Sequence, residues 1–103
     1  MTKLLSECFE GAAVLLKEKG WVQRVLKDEK TGAHCMIGAC RAICPDTPDS
    51  TFAEGLGWKD TTRRVATTQA YNYNDRRGQS AGIVIARLRK AAAIQRKKEA
   101  QDV

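Results

Sequence analysis

Four residues near the middle of this 103-residue chain carry the side chains best suited to hold a metal or to attack a substrate: His34, Cys35, Cys40 and Cys44. Thiolates and imidazoles are zinc ligands, and Cys40 and Cys44 share one face of a helix. Strong zinc motifs bring their cysteines as C-x-x-C knuckles, however, whereas here four residues separate Cys35 from Cys40 and three separate Cys40 from Cys44. Cysteine is also among the residues most often buried as a small hydrophobe, so core packing is the commoner reading of all four positions and of Cys8. Cysteine-nucleophile catalysis would need His34, the only histidine, as base. Its neighbour Cys35 would diverge from it on either a helix or a strand. Asp75 has no visible acid or base partner, and no phosphate-cradling loop or dinucleotide fingerprint is present. No catalytic residue, metal or other cofactor is therefore expected.

The second constellation is cationic. Residues 1–62 carry eight Lys/Arg against nine Asp/Glu, and residues 63–103 carry ten against three, so the net charge of +6 sits wholly in the C-terminal part. Such asymmetry suits a nucleic acid, an acidic protein or another anionic surface. The candidate contacts are Arg63, Arg64, Arg76, Arg77, Arg87, Arg89, Lys90, Arg96, Lys97 and Lys98, with Tyr71 and Tyr73 available to stack on bases. No helix-turn-helix, zinc finger or RNA-recognition signature accompanies them, which ranks an acidic protein above DNA or RNA. A tighter anion site can be assembled from Arg76, Arg77, the free amides that follow Ser80 and the small Gly82. The plainer reading there is an N-cap with two solvated arginines.

These side chains must be positioned by few elements, because 103 residues suit one modest core. From Lys3 to Lys19 the residues Leu5, Cys8, Phe9, Ala12, Leu15 and Leu16 form one helical stripe, which Gly20 is placed to stop. Gly11 inside it suggests a close neighbouring helix. Trp21–Leu26 alternates as a short strand or an irregular arm would, and Ala33–Ile37 fits equally the second strand of a small β-hairpin across residues 21–37 or a loop running into the next helix. A short buried helix over Cys35–Cys44 is ended by Pro45, Asp46–Ser50 reads as loop, and Phe52–Leu56 as one helical turn. Lys59–Ala70 reads as a helix capped by Asp60 or Thr61, with Val65, Ala66 and Ala70 inward.

Tyr71–Ser80 reads as a turn, since Asn72, Asn74 and Asp75 bond readily to nearby backbone and Gly78 tolerates positive φ. Ser80 then caps a last helix from Ala81 to about Glu99, with Val84, Ile85, Leu88, Ala91 and Ala92 inward and Arg87, Lys90 and Lys97 turned away. Residues 1–95 form one domain on this reading, and 96–103 a basic tail that frays. The expected architecture is mainly α, four to five helices, with Phe9, Trp21, Trp58 and Leu88 in the core. No run is long enough to span a membrane, and Glu7 and Glu10 interrupt the first apolar segment. Both point to a cytoplasmic protein with reduced thiols.

Three short motifs in this order, Gly20-Trp21-x-Gln23, Cys35-x-x-Gly38-Ala39 and Asn74-Asp75-x-x-Gly78 with Ser80, resemble a small uncharacterised domain family found in actinobacteria and their phages. The chain departs from that pattern at Arg77, where a proline is usual, and in its lysine-rich end. The resemblance brings no established activity or ligand. It implies a phage-type accessory protein that binds, and in some cases inhibits, a host macromolecule in the host cytoplasm. Nucleic-acid binding through the same basic residues is the alternative, and a zinc- or thiol-dependent role the third.

Overall fold

A computed structural model describes residues 3–58 and 63–101, and it is mainly helical. Five helices follow one another: α1 (Leu5–Lys19), α2 (Met36–Ile43), α3 (Asp49–Gly55), α4 (Arg63–Asp75) and α5 (Ala81–Gln101). The proposed caps Asp60 and Thr61 fall outside the described residues.

α1 forms where its apolar stripe demands. Glu7 turns its carboxylate back to accept from the Leu4 N–H at 2.8 Å, which satisfies one orphan amide of the first turn. Gly20 ends the helix at φ +100°, its N–H donating to the Leu16 carbonyl. Cys8, Phe9, Ala12 and Leu16 are buried, and Phe9 meets Phe52 of α3 edge to face with ring centroids 6.4 Å apart. α5 lies along α1, burying Val84, Leu88, Ala91 and Ala92, whose small alanines let the two backbones approach. Gly11 has the close neighbour its position implies: a Cβ there would stand 2.9 Å from Ile43 Cγ2.

α2 is the centre of the molecule and contacts each of the other four helices. Its residues Met36, Ile37, Ala39 and Cys40 are fully buried, as expected of a segment apolar on nearly every side. The Cys35 sulfur caps it, accepting from the Gly38 N–H at 3.2 Å.

Several expectations are corrected. Cys8 and Cys44 are not free thiols: they form a disulfide across 36 residues, tying α1 to the end of α2. The hairpin is absent from the described residues. Instead the 20–34 segment wraps around His34, with single bridges from Trp21 on one side and Lys27 on the other. The extended run breaks at Arg24, which sits at φ +74° while its N–H donates to the Asp75 carboxylate. α3 begins at Asp49, inside the expected loop. Val65 is 39% exposed rather than inward, and Trp21 and Trp58 are half-buried against the core rather than inside it. α5 runs on to Gln101, two residues past the expected end near Glu99, and Glu99 accepts from the Ser6 hydroxyl at 2.6 Å.

The largest correction concerns residues 71–75. They extend α4 rather than forming the turn, which is confined to Arg76–Gln79 with Gly78 at φ +82°. In isolation Asn74 and Asp75 compete with helix by bonding local backbone. Here their side chains are engaged by a distant segment, so the helix continues beneath them.

Candidate functional site

The three sequence motifs converge on one buried side chain. Asn74 is 1% exposed, and its amide makes four hydrogen bonds. Oδ1 accepts from the Trp21 indole N–H at 2.7 Å and from the Met36 backbone N–H at 2.9 Å. Nδ2 donates to the Val22 carbonyl at 3.2 Å and to the Asp75 carboxylate at 3.0 Å. Gln23 donates to the carbonyls of Asn74 and Arg76, closing the C-terminal end of α4, where Gln79 also donates to the Tyr73 carbonyl. Gly38 completes the knot by its lack of a side chain, because a Cβ there would overlap the Leu26 carbonyl oxygen. Every polar atom of Asn74 is thus used by the protein itself, and the arrangement is a fastener between the 20–35 segment and α4. It leaves nothing pointed at a substrate.

The histidine and cysteines do not come together as a metal centre. Cys44 is bonded to Cys8, Cys35 is a helix cap, and Cys40 is fully buried. Among the described residues no group of three His, Cys, Asp or Glu side chains could hold a metal ion. Burial pushes the thiols of Cys35 and Cys40 above their ordinary range, opposed at Cys35 by the Gly38 N–H. Both are therefore poor nucleophiles. The His34 Nδ1 is buried without a hydrogen-bond partner among the described residues, and no metal-binding cluster stands among them to use it.

The basic residues fall into two groups. Arg87, expected to face solvent, is half-buried: its guanidinium donates to the Leu56 carbonyl at 2.9 Å and lies over the rings of Trp58, 3.9 Å from the centroid, and Tyr73, 4.5 Å away. Arg76 covers Tyr73 from 5.3 Å, and Trp58 packs on the same ring at 5.1 Å. Tyr71 donates its hydroxyl to Asp49, which also holds Arg41, and burial followed by that carboxylate pushes its phenol upward. Both tyrosines are thereby committed to packing. Arg96 pairs with Glu10 at 3.3 Å on an exposed face. By contrast Arg64, Arg77, Arg89, Lys90, Lys97 and Lys98 are exposed and enter no ion pair among the described residues. The side chain of Arg63 lies outside the described residues. Ser80 caps α5 as its type and position imply, its hydroxyl accepting from the Ile83 N–H at 3.3 Å.

Three of the proposed contacts do meet. Arg87, Lys90 and Lys98 line a groove of about 530 Å³ between the end of α3 and α5, with Tyr73 and Glu54 also in its lining. Its apolar members Ile83 and Ile94 are 51% and 44% exposed. Sequence reasoning passed over these two because they lie off the stripe that packs on α1. The signal was their spacing: Ile83, Arg87, Lys90, Ile94 and Lys98 recur at intervals of three and four along a second face of α5. A second groove, of about 480 Å³, runs beside α1 and is lined by Val14, Leu15 and Ile43 together with Glu7, Glu10, Glu18, Lys3 and Arg96. Among the described residues no helix is long and apolar enough to cross a membrane.

No curated protein and no solved structure matches this chain. A family model does, over residues 1–94, and it spans all three motifs that converge on Asn74. The chain belongs to that family, described as a family of unknown function (DUF6197).

Proposed function

We propose that this protein is a small non-enzymatic binding module whose basic C-terminal half docks on an acidic surface of a partner protein. The observation that carries the reading is the state of the cations on α4, on α5 and in the turn between them. Six of them stand exposed without counter-ions among the described residues, and two of these, Lys90 and Lys98, line a groove with isoleucines along its edge. Exposed apolar residues ringed by unpaired charge of one sign favour a protein interface over simple solvation. A protein ranks above nucleic acid because Tyr71 and Tyr73, the residues suited to base stacking, are held by Asp49 and by Trp58, Arg76 and Arg87. A catalytic role is disfavoured by the fully satisfied Asn74 and the buried, raised thiols. The phage-type, host-directed setting, in which such docking would inhibit the host protein, is supported by the family resemblance of the three motifs alone.

The test is affinity capture with the intact protein as bait against a bait carrying Arg89→Glu, Lys90→Glu, Lys97→Glu and Lys98→Glu. Any protein retained by the first and lost by the second is then purified and the complex reconstituted, with DNA and RNA duplexes titrated alongside. A stoichiometric complex with an acidic protein supports the reading. Duplex binding at nanomolar concentration with a steep salt dependence would replace it with a phosphate-driven one.

A further inference from the structure

The groove between α3 and α5 has a length, an apolar edge and a charge, and together these specify an occupant. We infer that it receives an acidic amphipathic helix of the partner protein, one that lays apolar side chains beside Ile83 and Ile94 and carboxylates beside Lys90 and Lys98. This rests on the acidic-partner reading above and narrows it to one surface.

Length comes from the helix itself. Ile83 to Lys98 covers fifteen steps of α5, about 22 Å at 1.5 Å per residue, which matches a partner helix of roughly four turns. The lining alternates as such a partner would require: Ile83, then Arg87 and Lys90, then Ile94, then Lys98, all on one face. Helix-in-groove recognition reads anchors at the same intervals of three, four and seven. Charge comes from the same residues. Among the described residues Lys90 and Lys98 have no counter-ion and Glu54 is the single acid in the lining, while Arg87 spends its hydrogen bonds on a neutral carbonyl. The groove therefore holds an unbalanced positive charge over an apolar strip.

The apolar edge decides against other polyanions. A phosphate backbone would gain from the lysines but would lay no apolar group on Ile83 or Ile94, and Tyr73, the aromatic ring among the described lining residues, is already covered by Trp58, Arg76 and Arg87. The isoleucines also lie beside a concave channel rather than on a flat face, which suits a helix better than a bilayer surface.

The probe is a fluorescein-labelled synthetic helix of about twenty residues with leucines on one face flanked by glutamates, together with a scrambled peptide of equal composition. Fluorescence anisotropy is measured on the full chain at low and at physiological salt. The amphipathic peptide should bind in the micromolar range and the scrambled one at least tenfold more weakly. Ile83→Asp, Ile94→Asp and the pair Lys90→Glu with Lys98→Glu should each weaken binding about tenfold. Arg77→Glu and Lys97→Glu, outside the groove, should change it less than about threefold. All of these positions are exposed, so circular dichroism should show an unchanged fold.

Equal binding of both peptides, with groove variants unaffected and the outer variants impaired, overturns the groove while leaving the acidic-partner reading standing. No binding of either peptide at low salt overturns both. Displacement of the peptide by a DNA duplex or by anionic phosphatidylglycerol vesicles at lower concentration than the peptide itself requires overturns the helix as occupant.

Discussion

Replacing Asn74 by alanine should remove the fastener that joins the 20–35 segment to α4, and its cost can be worked bond by bond. The Met36 N–H, the Trp21 indole N–H and the Val22 carbonyl each lose a partner, and the Met36 amide lies fully buried. A buried donor left unpaired costs about 1 to 3 kcal/mol, whereas the half-buried Trp21 and Val22 groups regain part of theirs from water. With the lost side-chain volume, the sum is about 3 to 5 kcal/mol. For a chain of this size that corresponds to a fall in Tm of roughly 15 to 30 °C. Asn72→Ala, on the exposed side of the same helix, should stay within about 0.5 kcal/mol. Urea denaturation followed by tryptophan fluorescence measures both, and hydrogen exchange at Arg24 and Met36 reports whether the knot itself has opened. A loss below about 1 kcal/mol with both amides still protected would refute the reasoning, since it would mean that the motifs meet without holding anything.

Other perturbations follow from single contacts. Cys8→Ser with Cys44→Ser should destabilise by about 4 kcal/mol, from the entropy of an unfolded loop spanning 36 residues, and denaturation of the oxidised protein should reveal two titratable thiols, Cys35 and Cys40, that are silent in the native state. Gly38→Ala should cost more than about 2 kcal/mol because the Leu26 carbonyl is backbone and cannot step aside. Gly11→Ala meets only the side chain of Ile43 and should cost less, a contrast that paired melting curves would show. Arg87→Ala should cost about 2 kcal/mol and change Trp58 emission, and Arg87→Lys should recover little of it, because an ammonium cannot both reach the Leu56 carbonyl and lie flat on two rings. Burial raises the native thiols of Cys35 and Cys40 above their unfolded value of 9.0, so the stability they protect is complete below pH 9 and lost as pH rises further. Stability of Cys35→Ala and Cys40→Ala variants should accordingly fall less steeply between about pH 9 and 10.5 than that of the parent.

Local pattern was enough wherever a helix is held by its own apolar face. α1, α2 and α5 carry stripes whose period and stop signals, Gly20, Pro45 and Ser80, sit where the helices begin or end. It failed where one segment answers to another. Asn74 and Asp75 break helices when left to themselves, and only Trp21, Val22, Arg24 and Met36, some forty to fifty residues away, make the helical state the cheaper one. The same applies to the absent hairpin, since nothing in Trp21–Leu26 announces that Arg24 will be held at positive φ by an acid on α4. Thiol pairing was misread because Cys8 and Cys44 each have a sufficient local explanation as core residues, and proximity across 36 residues leaves no mark on either. In the candidate site the charge was plain in the composition. What was hidden was the sorting of that charge: Arg87 and Arg76 are absorbed by aromatic rings and Arg96 by Glu10, while Lys90 and Lys98 enter no ion pair among the described residues and stand beside two isoleucines.

The claim that this face of α5 is the working surface is most directly tested by two-dimensional amide NMR of the ¹⁵N-labelled protein during titration with the acidic amphipathic peptide. The account predicts saturable shifts confined to Ile83–Lys98 and to Glu54–Gly57 at the end of α3, with the knot around Asn74 and the outer face of α1 unmoved. Shifts centred instead on Val14, Leu15 and Ile43, or spread evenly over every exposed cation, would contradict it.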